Sequence, residues 1–277
     1  MLTTPLLISL FITLPIALCF YFVNLFGPVQ KGVIAFFHPF ADGGGGGERV
    51  LWCAIQALQS RYPNYKIAIF VREGVQAEQL VKDSAARFNV AIDKFPIRVV
   101  HLRNAARLLP EHYPSFTMAR QAIASVQVAF SGLRQLVPEV FVDTTGWAFP
   151  YPLASLAGSK VACYVHYPTV SSDMLESVRR RQTGAVHNAV HITRSRWRSL
   201  AKLSYYRLLA RVYGWCSRRA DVAMANSNWT INHVTKIWGN TLRPICLVFP
   251  PVDTVSLTSI DTSRGRVHDG EKEGGEE

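Results

Sequence analysis

Five consecutive glycines, Gly43, Gly44, Gly45, Gly46 and Gly47, stand between two segments of opposite periodicity. Before them runs the apolar stretch Gly32-Val33-Ile34-Ala35-Phe36-Phe37; after them Glu48-Arg49-Val50-Leu51-Trp52-Cys53-Ala54-Ile55-Gln56-Ala57-Leu58 reads as a helix. A strand that passes through glycines into a helix N-terminus forms a site for an anion. Backbone N–H groups approach without a Cβ in the way, and the helix dipole favours negative charge. Ordering five glycines costs conformational entropy that a simple connection would not need to spend. The segment is no Walker loop, because no Gly-Lys-Ser/Thr follows, and Glu48 stands where a dinucleotide fingerprint wants its third glycine. A phosphate or sugar-phosphate contact is the functional reading, and a flexible turn in an α/β sheet the plain one. Glu48 and Arg49 fall in the first helical turn, where Glu48 suits the helix dipole.

The same alternation continues along the chain. Apolar runs at 33–37, 66–71, 97–102, 140–143, 161–166, 222–226 and 245–249 read as strands, with helices near 48–60, 76–88, 116–136, 200–218 and 229–238. Apolar strands separated by helices predict an α/β fold, a doubly wound Rossmann-like parallel sheet covered on both faces. Ligands on such sheets bind beyond the carboxyl ends of the strands. Attention therefore goes to His38-Pro39, the glycine run, Asp143-Thr144-Thr145-Gly146, His166-Tyr167-Pro168 and Asn226-Ser227. His166 at its strand end suits hydrogen bonding to a sugar hydroxyl or acid–base work, or a structural role. Asp143 is a candidate on the phosphate side, although the Thr-Thr-Gly after it equally suits a turn or helix cap. Ser227 resembles an N-cap for the helix near Trp229.

Residues 6–26 carry no charged side chain, enough at about 1.5 Å per residue to cross a hydrocarbon core of about 30 Å. Residues 1–29 are expected to form one transmembrane anchor rather than a signal peptide, since no basic residue precedes the run. Net charge is +11, and the last 24 residues carry −3, so about +14 precedes them; eleven of the basic residues lie between Arg179 and Arg219 with no Asp or Glu among them. The positive-inside tendency then puts the body on the cytosolic side. Within that stretch Trp197, Ala201, Leu208, Val212 and Trp215 share a helical stripe, flanked by Arg198 and Lys202 on one side and Arg196, Arg207 and Arg211 on the other. Such a stripe is either a membrane-facing surface with snorkelling cations or a core face with a solvated rim. No aromatic-stacking or helix-turn-helix pattern supports nucleic-acid binding. The five cysteines are scattered without C-x-x-C spacing, which fits reduced thiols better than disulfides or zinc. Residues 254–277 are polar and acidic and are expected to be a disordered tail.

These residues make the chain resemble the N-terminal part of the eukaryotic asparagine-linked glycosylation α-1,2-mannosyltransferases that act on dolichol-linked oligosaccharide. The resemblance rests on Ile34-Ala35-Phe36-Phe37-His38-Pro39, on Gly43 to Gly47 with Glu48-Arg49-Val50-Leu51-Trp52-Cys53-Ala54, on Cys163-Tyr164-Val165-His166-Tyr167-Pro168-Thr169, on Asp173-Met174-Leu175, on Asn226-Ser227-Asn228-Trp229-Thr230 and on Pro250-Pro251-Val252-Asp253. It implies a two-lobed type-B glycosyltransferase at the cytosolic face of the endoplasmic reticulum membrane. Such an enzyme transfers mannose from GDP-mannose to a dolichyl-diphosphate-linked mannose oligosaccharide with retention of configuration. By resemblance, residues 32–253 are the acceptor-side lobe, the glycine loop lies near the donor diphosphate, and His166 is the active-site histidine. It implies no metal and no cofactor, and other early mannosyltransferases as partners. In the resembled family a second Rossmann-like lobe with a Glu-x7-Glu pair holds the nucleotide, and here none follows Asp253. The polypeptide by itself is therefore expected to lack most of the donor site and to be inactive alone. The alternative is a non-catalytic membrane-bound lobe that binds lipid-diphosphate oligosaccharide or a partner glycosyltransferase.

Overall fold

A computed structural model describes Thr13 and residues 25–92, 96–180, 196–239 and 244–254. The anchor reading of residues 6–26 falls, apart from Thr13, Leu25 and Phe26, outside the described residues, as does the tail 255–277. Among the described residues no helix is long and apolar enough to cross a membrane.

Among the described residues seven parallel strands form the sheet: β1 (Gln30–Phe37), β2 (Lys66–Arg72), β3 (Arg98–Leu102), β4 (Pro138–Asp143), β5 (Lys160–Val165), β6 (Val222–Ala225) and β7 (Cys246–Leu247), in the order β3-β2-β1-β4-β5-β6-β7. All seven expected strands are present, each within a few residues of its predicted bounds. Among the described residues the α-helices are α1 (Gly46–Arg61), α2 (Ala77–Phe88), α3 (Thr117–Leu133), α4 (Tyr151–Leu156), α5 (Ser172–Arg179), α6 (Arg196–Ser217) and α7 (Asn228–Trp238).

Alternate side chains of the central strands feed two cores, the consequence of the two-residue strand period. Ile34, Phe36, Ile67, Ile69 and Val71 pack under α1 and α2 against Leu51, Trp52, Ile55 and Leu80. Their neighbours Ala35, Phe37, Ala68 and Phe70 face α3, α4, α6 and α7, joining Phe141, Leu133, Tyr151, Tyr213 and Trp238. Both faces are covered, so the strands read as unbroken apolar runs. Each large side chain fully buried here, such as Trp52 or Phe141, contributes about 1.5–3 kcal/mol. Close approach of α3 to the sheet depends on Gly132, where a Cβ would lie 2.8 Å from Leu102 Cδ2 and 2.9 Å from Phe70 Cδ1.

Two helices were not anticipated. α4 is six residues long with proline in its first turn, and α5 is an eight-residue helix whose start is set by Ser171, its hydroxyl accepting from the Met174 N–H at 3.2 Å. Both are too short to show a hydrophobic period. The anticipated N-cap Ser227 is in place, accepting from the Thr230 N–H at 3.1 Å.

Candidate functional site

The strand order reverses between β1 and β4, and the crevice beyond their carboxyl ends is where doubly wound sheets bind ligands. His38 follows β1 and Thr144 follows β4; His38 Nδ1 and Thr144 Oγ1 lie 2.7 Å apart, joining the two sides of the reversal. A cleft of about 440 Å³ opens there, walled by Gly46, Gly47 and Glu48 of α1, by His38 and Thr145, and by His166 at the end of β5. Pro250 closes one side. Its segment is strapped over the sheet end by Arg49, which donates to the Pro251 carbonyl at 3.0 Å, and by the Tyr164 hydroxyl, which donates to the Val248 carbonyl at 2.8 Å.

Gly46 and Gly47 share one cavity with His166, and the five glycines divide by task. None has a left-handed φ, so backbone conformation does not demand them, and only Gly43 and Gly45 are crowded enough to need a missing side chain. A Cβ on Gly43 would meet Glu48 Oε1 at 2.8 Å, and one on Gly45 would meet Glu48 Oε2 at 2.9 Å. Both make room for a carboxylate that folds back on its own helix start and accepts the Gly45 N–H at 2.7 Å. The Gly43 N–H donates to the Phe40 carbonyl, and the carbonyls of Asp42 and Gly43 accept from Arg87. Arg72 grips the Asp42 carboxylate through both ends of its guanidinium. Gly44 is exposed and does not wall the cleft. Gly46 and Gly47 hold the first two helical positions, whose N–H groups have no carbonyl within the helix. Of the run Gly43 to Gly47, these two face the cleft; Gly43 and Gly45 shape the loop instead.

Glu48, assigned above to the helix dipole, is the organiser of the site. Its Oε1 lies 3.3 Å from His38 Nε2 and its other oxygen holds Gly45. The hydrogen bond from His38 is the largest of the effects that hold this carboxyl at about 2, overriding its partial burial. An ionised carboxylate only accepts, so His38 Nε2 carries a proton. The legible signal was position: glutamate at the third helical residue reaches back to the N-cap N–H, as in a capping box.

His166 Nε2 is buried and has no hydrogen-bond partner among the described residues. Its imidazole stands edge-on to Tyr164, centroids 4.8 Å apart, and a Cβ on Gly47 would lie 3.6 Å from Nε2. Burial, with a smaller push from the neighbouring His38, lowers its pKa below the usual 6.5, and Glu48 opposes this weakly. The lowered pKa favours the neutral ring at pH 7, and the residue lines the cleft. Orphaned buried polar atoms are rare and call for an explanation; the other one among the described residues, Trp238 Nε1, lies in the core, whereas His166 lines the cleft.

Asp143, expected on the phosphate side, is fully buried and outside the cleft wall. It accepts from the Thr145 N–H at 2.8 Å, from the Thr145 hydroxyl and from the Tyr151 hydroxyl. Desolvation raises its pKa against these bonds. The structure gives it the turn-forming use, bracing the loop that carries Thr144 and Thr145. Among the described residues no group of three His, Cys, Asp or Glu side chains is placed to hold a metal ion.

The Arg196–Ser217 helix settles which way its apolar stripe points. Leu209, Ala210, Tyr213 and Cys216 are buried in the core cluster of the sheet, and Tyr206 is buried on the same side of the helix. The stripe lies on the other side: Trp197 is 81%, Leu208 60% and Trp215 56% exposed. Leu208, Val212 and Trp215 join Ile123 of α3 and Leu156 of α4 around an apolar groove of about 560 Å³. Arg198, Arg207 and Arg211 are exposed beside it, and Lys202 is half-buried with its ammonium 5.8 Å from the Tyr206 ring centre. The stripe is a surface, not a core face.

The chain is 40% identical over 237 residues to a Xenopus laevis protein named GDP-Man:Man(3)GlcNAc(2)-PP-Dol alpha-1,2-mannosyltransferase, covering 85% of this chain and 48% of that one. A human protein of the same name is 40% identical over 232 residues, covering 82% and 46%. The chain spans about half the length of the curated relatives it matches. Among solved structures, a UDP-glucose: anthocyanidin 3-O-glucosyltransferase in complex with UDP superposes with a TM-score of 0.47 at 14% identity, over 84% of this chain and 56% of that one, too loosely to bear on the site. The family model described as ALG11 mannosyltransferase N-terminus matches residues 31–238, a span that runs from β1 through the glycine loop, His166 and α7, and the chain belongs to that family.

Proposed function

We propose that this chain forms the acceptor-side lobe of a retaining α-1,2-mannosyltransferase, which moves mannose from GDP-mannose onto dolichyl-diphosphate-linked mannose oligosaccharide during N-glycan precursor assembly. The observation that carries the reading is the unpartnered, buried Nε2 of His166, set beside bare helix-start amides in a cleft at the strand-order reversal. A neutral imidazole there exchanges a hydrogen bond with a hydroxyl of the transferred sugar and holds it without adding charge. The N–H groups of Gly46 and Gly47, at the positive end of the 16-residue α1, suit the departing diphosphate.

Among the described residues, the arginines nearest the glycine loop are engaged elsewhere and add little positive charge to the leaving group. Arg49 is engaged with the Pro251 and Phe88 carbonyls, Arg72 with Asp42, and Arg87 with the glycine-loop carbonyls. Glu48, ionised throughout the physiological range, is no proton donor; it shapes the loop and aligns His38. The remaining neutralisation of the nucleotide falls to a second lobe. Residues 6–26 are read as a single membrane anchor, and the outward face of α6, with Trp197, Arg198, Lys202, Arg207 and Arg211, as a second contact with the endoplasmic reticulum membrane on its cytosolic side. Apolar side chains at headgroup depth and cations at the phosphates match that surface.

The test is incorporation of labelled mannose into lipid-linked oligosaccharide by this chain extended with the C-terminal half of a relative. Transfer by the extended protein, and a loss of at least about 100-fold in His166→Ala at unchanged fold, is the expected result. An inert extended protein, or one indifferent to His166→Ala, would sink the reading.

A further inference from the structure

Beside the cleft stands a pair of aromatic rings that neither the core nor the reacting centre uses. Tyr167, directly after His166, is 51% exposed, and Trp229, near the start of α7, is 41% exposed. Their rings stack with centroids 5.2 Å apart at 26°. The shelf is braced from below. The Trp229 ring packs on His233, 4.0 Å between centroids, and His233 is buried, with Nδ1 2.6 Å from the Ser172 hydroxyl and Nε2 3.4 Å from the Asp173 carboxylate. The shelf is also tied to the cleft, because the Thr230 hydroxyl contacts the His166 carbonyl at 3.4 Å. Four residues of two helices, Ser172 and Asp173 of α5 with Thr230 and His233 of α7, thus buttress the stacked pair next to the histidine that defines the site. Leaving that apolar area in water is a cost, and such preformed aromatic surface marks a binding site.

Resting on the transferase reading above, the geometry points to this shelf as a sugar subsite for a mannose unit of the acceptor oligosaccharide. A pyranose presents one face of C–H groups, and their positive edges suit the negative face of an aromatic ring. Its hydroxyls need acceptors, and the Asp173 carboxylate, 63% exposed at the rim of the shelf, is one. The same carboxylate argues against the other flat ligand of the reaction. A guanine stacked here would bring its diphosphate towards a negative group, whereas a neutral polyol brings none. Tyr167 and Trp229 act by positioning the acceptor, not by chemistry.

The test titrates the 277-residue chain in detergent with α-linked mannotriose, and separately with GDP, reading saturation-transfer NMR. Mannotriose binding that weakens about 10-fold or more in Tyr167→Ala, about 1.4 kcal/mol, with Tyr167→Phe retaining it and GDP indifferent to either change, supports the subsite. Tyr167 is the informative position because its ring is half exposed; Trp229→Ala also removes the packing on His233, so Trp229→Phe serves as its companion. Absence of mannotriose binding to the parent chain, equal binding in Tyr167→Ala, or a loss confined to GDP overturns it. In the extended transferase Tyr167→Ala is expected to raise the acceptor KM and leave the GDP-mannose KM unchanged. If that transferase is inert, the functional reading fails while the mannotriose titration still judges the shelf.

Discussion

Gly47→Ala separates the two reasons a helix can begin with glycine. Gly47 has no left-handed φ, and it is the second residue of α1. Replacing glycine by alanine at a helical position favours the fold by about 0.5–1 kcal/mol, through helix propensity and a less disordered unfolded chain. The added methyl meets nothing closer than His166 Nε2 at 3.6 Å and His38 Cε1 at 3.9 Å, both ordinary contacts. The variant is therefore expected to melt about 2–3 °C higher. Function should move the other way. A hydroxyl bonded to Nε2 sits about 2.9 Å from it, and a methyl 3.6 Å from the same atom crowds that position. A loss of at least about 10-fold in kcat/KM of the extended transferase, about 1.4 kcal/mol of barrier, is expected beside the gain in stability. Gly43→Ala is the contrast: its Cβ would lie 2.8 Å from Glu48 Oε1 and 3.2 Å from the Phe40 carbonyl, so it should lower stability. Calorimetry of both variants and initial-rate assays decide the matter. A Gly47→Ala protein that is more stable and fully active would refute the claim that His166 Nε2 meets a ligand at this spot; one that is destabilised would refute the open space.

Glu48 should also govern part of the acid response. Its folded-state pKa of about 2 lies below the unfolded value of 4.5, so the unfolded chain takes up the proton first. The stability it adds is present above pH 4.5 and lost as pH falls from there towards 2. Glu48→Gln is expected to cost about 1–2 kcal/mol at pH 7 and to flatten that part of the urea-midpoint profile; an unchanged acid slope would count against the His38–Glu48–Gly45 arrangement. On α6, Leu208→Glu and Trp215→Glu lie on the exposed stripe and should alter stability by less than about 0.5 kcal/mol. In vesicle-bound full chain both are expected to abolish labelling of α6 by a photoactivatable lipid while residues 6–26 remain labelled. Undiminished labelling of α6 would show that the stripe meets something other than lipid.

The alternation of apolar runs and helices was sufficient to read the parallel sheet, because strands buried on both faces must be apolar throughout and the helices between them must be amphipathic. α4 and α5 escaped that reading for lack of a full hydrophobic period; Gly43–Gly47 and His166 drew attention because a strand end, a glycine run and a polar residue coincide in sequence, and of them Gly46, Gly47 and His166 line one cleft. Which glycines touch the cleft was not legible. The division depends on Glu48 turning back across its own helix start and on His38 reaching Thr144, 106 residues away. Asp143 shows the same limit: its chemistry suits a ligand site, and only the packing of Tyr151 and Thr145 around it shows a buried brace. On α6 periodicity drew the stripe, but a helical wheel does not say which side meets the sheet; Tyr206, Leu209 and Tyr213 on the opposite face decided that. Local sequence determines elements because their periods are short-range properties of the backbone. Roles at the site depend on contacts between distant strand ends, and only the tertiary structure brings those together.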